Sequence, residues 1–165
     1  MRRPICACRH AVSSRTLRPL PFPSSLLRPR PGRALWLARR ARVLVVARNL
    51  VIKVTAGKDE PERCNQAFTV ASTAVASGVS VSLWLTGEAA WFGLPGRADD
   101  FSLPHAAPLA DLLASVLALG TVTICGQCAA RRDITPQDVI PGVRIAGAAT
   151  FVAEVVADEV QALVY

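Results

Sequence analysis

The sequence predicts an α/β domain over residues 49–165: three layers, α/β/α, built on a mostly parallel sheet of about five strands. Three observations lead there. Leu50–Thr55 is almost continuously apolar, as a strand covered on both faces is, and Thr121–Ile124 is a short β-branched run. Between such runs lie longer stretches whose apolar residues return every three to four positions, the period of a helix. Glycines and prolines fall at the boundaries, and strands that alternate with helices give a parallel sheet with helices on both faces.

Leu50–Thr55 is the first expected strand. Ala56-Gly57-Lys58 turns the chain, and Asp59 is placed to cap a helix, with Glu60 and Glu62 in its first turn and Pro61 tolerated there. Cys64, Ala67, Phe68, Ala71 and Val75 form the apolar stripe of that helix, and Gly78 ends it. Val79–Thr86 follows as a strand, with Val79, Val81, Leu83 and Leu85 on one face and Ser80, Ser82 and Trp84 on the other. Glu88–Pro104 reads as a loop with a short helical piece at Glu88–Phe92, where Trp91 and Phe92 either line a pocket at the strand ends or lid the core.

Pro108–Leu119 is the second helix, with Leu109, Leu112, Leu113, Val116 and Leu117 as its stripe and Gly120 as its stop. The strand Thr121–Ile124 comes next. Thr135–Ile140 reads as a short helix capped by Thr135 and carrying Asp138 in its first turn, closed by Pro141-Gly142. Val143–Ala146 is a fourth strand, Thr150 is expected to cap a helix running to about Asp158, and Gln161–Tyr165 is a last strand.

The charge divides the chain in two. Residues 1–48 hold 12 of the 19 Lys and Arg and none of the 12 Asp and Glu. The remainder carries seven basic and twelve acidic residues, so the formal +7 belongs to the front and gives the body no basic footprint for nucleic acid. Pro21, Pro23, Pro29 and Pro31 break any helix there, and the segment 1–48 reads as a basic, disordered extension. A translation start placed upstream of the true one is the preferred reading, ahead of an organellar transit peptide and of a basic arm that touches nucleic acid or membrane. No apolar run reaches the ~18 residues of a membrane span. Five cysteines (Cys6, Cys8, Cys64, Cys125 and Cys128) form no secreted framework, which suits a reducing, cytoplasmic setting.

The chemistry-bearing stretch is Thr121–Ile134, where Cys125 and Cys128 stand three residues apart and run into Arg131-Arg132. A cysteine reacts near neutral pH when it is exposed and when positive potential favours its thiolate. A strand end supplies the first, and the N–H groups of a following turn together with the arginines supply the second. Cys125, at the strand's end beside Gly126, is the expected nucleophile, whereas Cys128 lies one turn on and faces protein. Trp91, Arg131 and Arg132 are candidates to hold a substrate or a small anion. Cys-Gly-Gln-Cys also looks like a thioredoxin-type redox pair, but no long helix follows it. One Cys-x-x-Cys with Cys64 or His105 lacks the paired spacing of a zinc site, so no metal is expected. His105 is a weak candidate for a base, Cys64 belongs to the core stripe, and Ala56-Gly57-Lys58 lacks the glycines of a phosphate loop.

The strand–helix pair Leu50–Gly78, the strand–Leu-rich helix–strand block, and Ile124-Cys125 followed six and seven residues later by Arg131-Arg132 resemble the DsrE/DsrF-like family of small sulfur-handling proteins. The resemblance spans the whole body. It implies that Cys125 is the sulfur-carrying residue, relaying sulfane sulfur as a persulfide between donor and acceptor proteins. It also implies a homo-oligomer, trimer or hexamer, and no cofactor. Many members have another residue where Cys128 stands, and Asp133 departs from the family's common Arg-Gly pattern. A non-catalytic module that binds a small anion remains the alternative to the carrier.

Overall fold

A computed structural model describes residues 49–165; the expectations for residues 1–48 lie outside them. Five strands form one sheet: β1 (Asn49–Val54), β2 (Ser80–Leu85), β3 (Thr121–Cys125), β4 (Val143–Ala146) and β5 (Val160–Val164). Their order is β4-β3-β2-β1-β5, and every pairing is parallel. The helices are α1 (Pro61–Ala76), α2 (Leu109–Leu119), α3 (Gly126–Ala130) and α4 (Ala148–Val155), and a 3-10 segment spans Gly87–Gly93. The α/β class and the five strands expected from the sequence are all present.

The two faces of the sheet are covered unequally. Ile52 and Val54 of β1, Val81, Leu83 and Leu85 of β2, Val122 and Ile124 of β3, and Val143 of β4 enter one apolar core. On this face α1 contributes Cys64, Ala67, Phe68, Ala71 and Val75, the stripe read from its spacing, and α2 contributes Leu109, Leu113 and Val116. Phe92 joins them, edge-to-face with Phe68 at 5.9 Å and with Phe101 at 5.6 Å. It therefore lids the core, and together with Trp91 it also borders a cavity at the surface. Among the described residues the opposite face receives only α4, none of whose residues is buried. At about 1.5 Å per residue its eight residues cover roughly 12 Å of a sheet whose strands lie about 4.8 Å apart.

Three local expectations differ from the structure. Asp59 does not cap α1; its Oδ1 accepts from Gly57 N at 2.7 Å and ties the preceding turn, while Pro61 occupies the helix's first turn. Thr135–Ile140 is a turn, not a helix. Thr135 N and Oγ1 both donate to Asp138 Oδ2, at 2.8 and 2.6 Å, as a cap would, but Pro141 biases Ile140 away from helical angles and no second turn can follow. Ile140 N donates instead to Gly93 O at 2.9 Å. Finally, α4 starts at Ala148 after Gly147, so Thr150 lies inside it and not at its cap. Gly78 ends α1 as expected, in the left-handed region at φ 80°, with Val79 N donating back to Ala74 O at 3.0 Å.

Candidate functional site

Cys125 is the last residue of β3, and Gly126 opens α3 directly after it. The β-branched run Thr121–Ile124 makes the strand, and its two inner neighbours, Thr123 and Ile124, are fully buried. Cys125 lies opposite Ala146 of the edge strand β4, so its outer flank has no further strand. Nothing lies within 4 Å of where a side chain on the adjoining Gly147 would begin. The sulfur is half-buried and free, with small residues on its open side.

The three described thiols differ in their surroundings. For Cys125, partial burial pushes the thiol up, but the N–H of Cys128, the Cys128 thiol, the N–H of Gln127 and the Lys53 ammonium together outweigh it and hold it below the ordinary cysteine range. The two N–H groups face the sulfur at the start of the turn without closing a well-aligned cap bond. Cys128 is buried, and its Sγ accepts from Gly87 N at 3.2 Å, which ties α3 to the 3-10 segment. Cys64 is fully buried on α1, where burial and the charge of Asp59 push its thiol up to about 12.

Arg132 and Trp91 meet, while Arg131 stays apart. The Arg132 guanidinium donates to Glu88 Oε1 at 2.7 Å and to Cys128 O at 3.3 Å, and stands 5.7 Å from the Trp91 ring centre. Arg97 lies 5.4 Å from the same ring. Trp91 borders a cavity of about 170 Å³ with Lys58, Glu88, Phe92 and Arg97, and a shallower one of about 370 Å³ that includes Arg132 and Asp138. Cys125 lines neither cavity. Arg131 is exposed at the end of α3. His105 sits in the loop before α2 with a left-handed φ of 62°, and among the described residues no hydrogen bond joins it to Cys125. Among the described residues no cluster of three His, Cys, Asp or Glu could hold a metal ion, and no helix is long and apolar enough to cross a membrane.

Sequence reasoning passed over a polar cluster on the α4 face. Glu154 of α4 accepts from Ser82 Oγ at 2.7 Å and from Trp84 Nε1 at 2.8 Å, and is paired with Arg144 of β4. Arg144 Nε also donates to Thr123 Oγ1 at 2.7 Å. Lys53 of β1 stands over the Phe151 ring at 5.3 Å, and that ring meets Trp84 edge-on at 5.2 Å. The available signal was a single charge in each of two short apolar strands, Lys53 in Leu50–Thr55 and Arg144 in Val143–Ala146.

An all-parallel sheet with a half-buried thiol at a strand's carboxyl end defines a class of small α/β protein whose candidate site lies where ligands gather in open α/β sheets. A sequence model of the DsrE/DsrF-like family matches residues 48–159, and the chain belongs to that family. The resemblance drawn from Ile124-Cys125 and Arg131-Arg132 is thereby borne out. Among solved structures the chain is similar to the YchN protein from E. coli, with a TM-score of 0.59 at 18% identity over 71% of this chain and 97% of that one. At that identity the likeness concerns the fold. No curated protein matches the chain.

Proposed function

We propose that this protein is a sulfur carrier that holds sulfane sulfur as a persulfide on Cys125. One observation carries the reading: of the three described thiols, only Cys125 combines accessibility with surroundings that favour the thiolate. Membership of a family of sulfur-handling proteins supports it. The Cys125 thiolate attacks the outer sulfur of a donor persulfide, R–S–SH. A bond forms between the two sulfurs, the donor's own S–S bond breaks, and R–S⁻ leaves; the transferred sulfur keeps its proton or loses it to water. An acceptor thiolate then repeats the exchange at Cys125–S–SH. The oxidation level of the sulfur is conserved, and the step calls for no oxidant, reductant or cofactor.

Cys128 acts here as a support, through its contact with Gly87 N. The thioredoxin-like alternative keeps the Cys-x-x-Cys spacing, but α3 has only five residues and the family and fold are of another kind. Arg132, engaged by Glu88 and stacked near Trp91, leaves Arg131 as the exposed guanidinium available to a partner protein.

Intact mass after treatment with a low-molecular-weight persulfide donor tests the assignment. One added sulfur is expected on the wild type and on Cys128→Ser, and none on Cys125→Ser. Sulfur retained by Cys125→Ser and lost from Cys128→Ser would invert the two roles. A stable internal disulfide in place of any adduct would favour the redox pair.

A further inference from the structure

We propose that Lys53 is the counter-cation of Cys125, held across the α4 face by the Phe151 ring so that its ammonium stabilises first the thiolate and then the persulfide anion. The inference deepens the carrier reading and rests on it. In the parallel register Lys53 lies beside Trp84, which lies beside Thr123. Side chains in one such row share a face, and Cys125, two residues beyond Thr123, shares it too. Two strand spacings across and two residues along separate the Lys53 and Cys125 backbones by roughly 12 Å, and the lysine's four-carbon stem spans about half of that.

What directs the stem is aromatic. The Lys53 ammonium rests 5.3 Å from the centre of Phe151, whose ring is itself set against the buried Trp84. A cation–π contact fixes a position without neutralising the charge. Arg144 of β4, the other cation described on this face, is paired with Glu154 of α4. Among the described residues no carboxylate lies within salt-bridge distance of Lys53. Among the described residues the groups that favour the Cys125 thiolate are the N–H of Cys128, the Cys128 thiol and the N–H of Gln127 from α3, and the Lys53 ammonium from β1. A sulfur carrier alternates between two anions at one residue, the thiolate on its own sulfur and the persulfide on the added one, and a fixed cation nearby serves both. Phe151 sits on α4, which leaves the sheet edge beside Cys125 through Gly147, so this one helix both borders the thiol and positions its cation.

The test is the pH dependence of alkylation at Cys125 by iodoacetamide in the full chain, resolved by peptide fragmentation, for wild type, Lys53→Met, Lys53→Arg and Phe151→Leu. Removing one partly solvated charge at this range should slow Lys53→Met roughly threefold at pH 7 and move its midpoint upward. The rates should converge with wild type at pH values where the thiol is fully ionised. Lys53→Arg should stay within about twofold of wild type, and Phe151→Leu should fall between. A merely structural role would lower the melting temperature and leave the midpoint in place. Lys53→Met with the wild-type profile, or Lys53→Arg displaced as far as Lys53→Met, would overturn the proposal while leaving the carrier reading intact. A wild type whose Cys125 resists both alkylation and sulfur transfer would overturn the carrier reading, and this inference with it.

Discussion

Glu154 is the side chain that fastens α4 to the sheet, and replacing it by alanine tests how that layer is held. The carboxylate accepts from Ser82 and Trp84 and pairs with Arg144, and Glu154 keeps 24% of its side chain exposed. Its loss does not cost three full hydrogen bonds. The Arg144 side chain is 46% exposed and Ser82 is half-buried, so water takes their partner's place at little cost. Trp84 is 1% exposed, and its indole N–H would be stranded, which costs about 1–3 kcal/mol. Adding the weakened pair, Glu154→Ala should destabilise the domain by about 2–3 kcal/mol. For a body of this size that is a fall of roughly 10 °C in melting temperature. Glu154→Gln keeps one acceptor oxygen for Trp84 and should cost about half as much.

The same residue gives the stability a pH signature. Burial alone would raise the Glu154 carboxyl, but the hydrogen bonds from Trp84, Ser82 and Arg144 and the Arg144 charge outweigh it and hold it below the usual carboxylate range. A folded-state value below the unfolded one means that the contribution is complete above the unfolded glutamate value of about 4.3 and is lost as pH falls through the lower folded value. Urea melts of wild type and Glu154→Ala, followed by tryptophan fluorescence, should therefore differ most near neutral pH, and the gap should narrow to about half below about pH 4, where the protonated carboxyl still accepts from Trp84. An alanine variant within 0.5 kcal/mol (about the error of such a measurement) of wild type at pH 7 would refute the clamp.

Two further outcomes follow from other parts of the molecule. Asp133 has a left-handed φ of 54°, a conformation that glycine adopts without strain. Asp133→Gly should raise stability by about 0.5 kcal/mol, the relief of strain exceeding the added chain entropy, and a lowered melting temperature would contradict this. The body should also self-associate. Val152 on α4, Val156 at its C-terminal cap and Val164 on the edge strand β5 are more than half exposed, and a sheet edge with apolar neighbours is a ready pairing surface. Light scattering that returns a monomer mass across micromolar concentrations would sink that expectation.

Periodicity is a property of the chain alone, and it placed most of the fold. The stripe Cys64–Val75 buries as its spacing demands, and so do Leu109, Leu113 and Val116 of α2, with Leu112 and Leu117 half-buried at the margin, because a helix facing a sheet has one way to hide its apolar residues. Alternation did the same for Val81, Leu83 and Leu85 against Ser80 and Ser82. The strand-end place of Cys125 was legible too, since a β-branched run that stops at Cys-Gly marks its own end. Errors fell where a side chain had two local uses. Asp59 and Thr135 each have the chemistry of a helix cap, and both spend it on turns. Thr150 lacked a mark that Gly147 supplied by having no side chain.

The surroundings of the thiol were decided only by the tertiary structure. Strand order is the reason. Lys53 and Cys125 stand 72 residues apart, and they share a face only because β2 alone lies between β1 and β3. The same applies to Glu154, which reaches Ser82 and Trp84 across 72 and 70 residues of chain. It applies again to Cys128, whose buried place depends on Gly87 at the end of another strand. Trp91 and Arg132 were each visible as candidates in the sequence, yet their contact with one another, away from the Cys125 flank, follows from where the 3-10 segment packs. Local spacing determines what each segment is, because hydrophobic period and turn chemistry act over a few residues. Which charge faces which sulfur is set by the order of strands in the sheet, and no short-range pattern encodes that order.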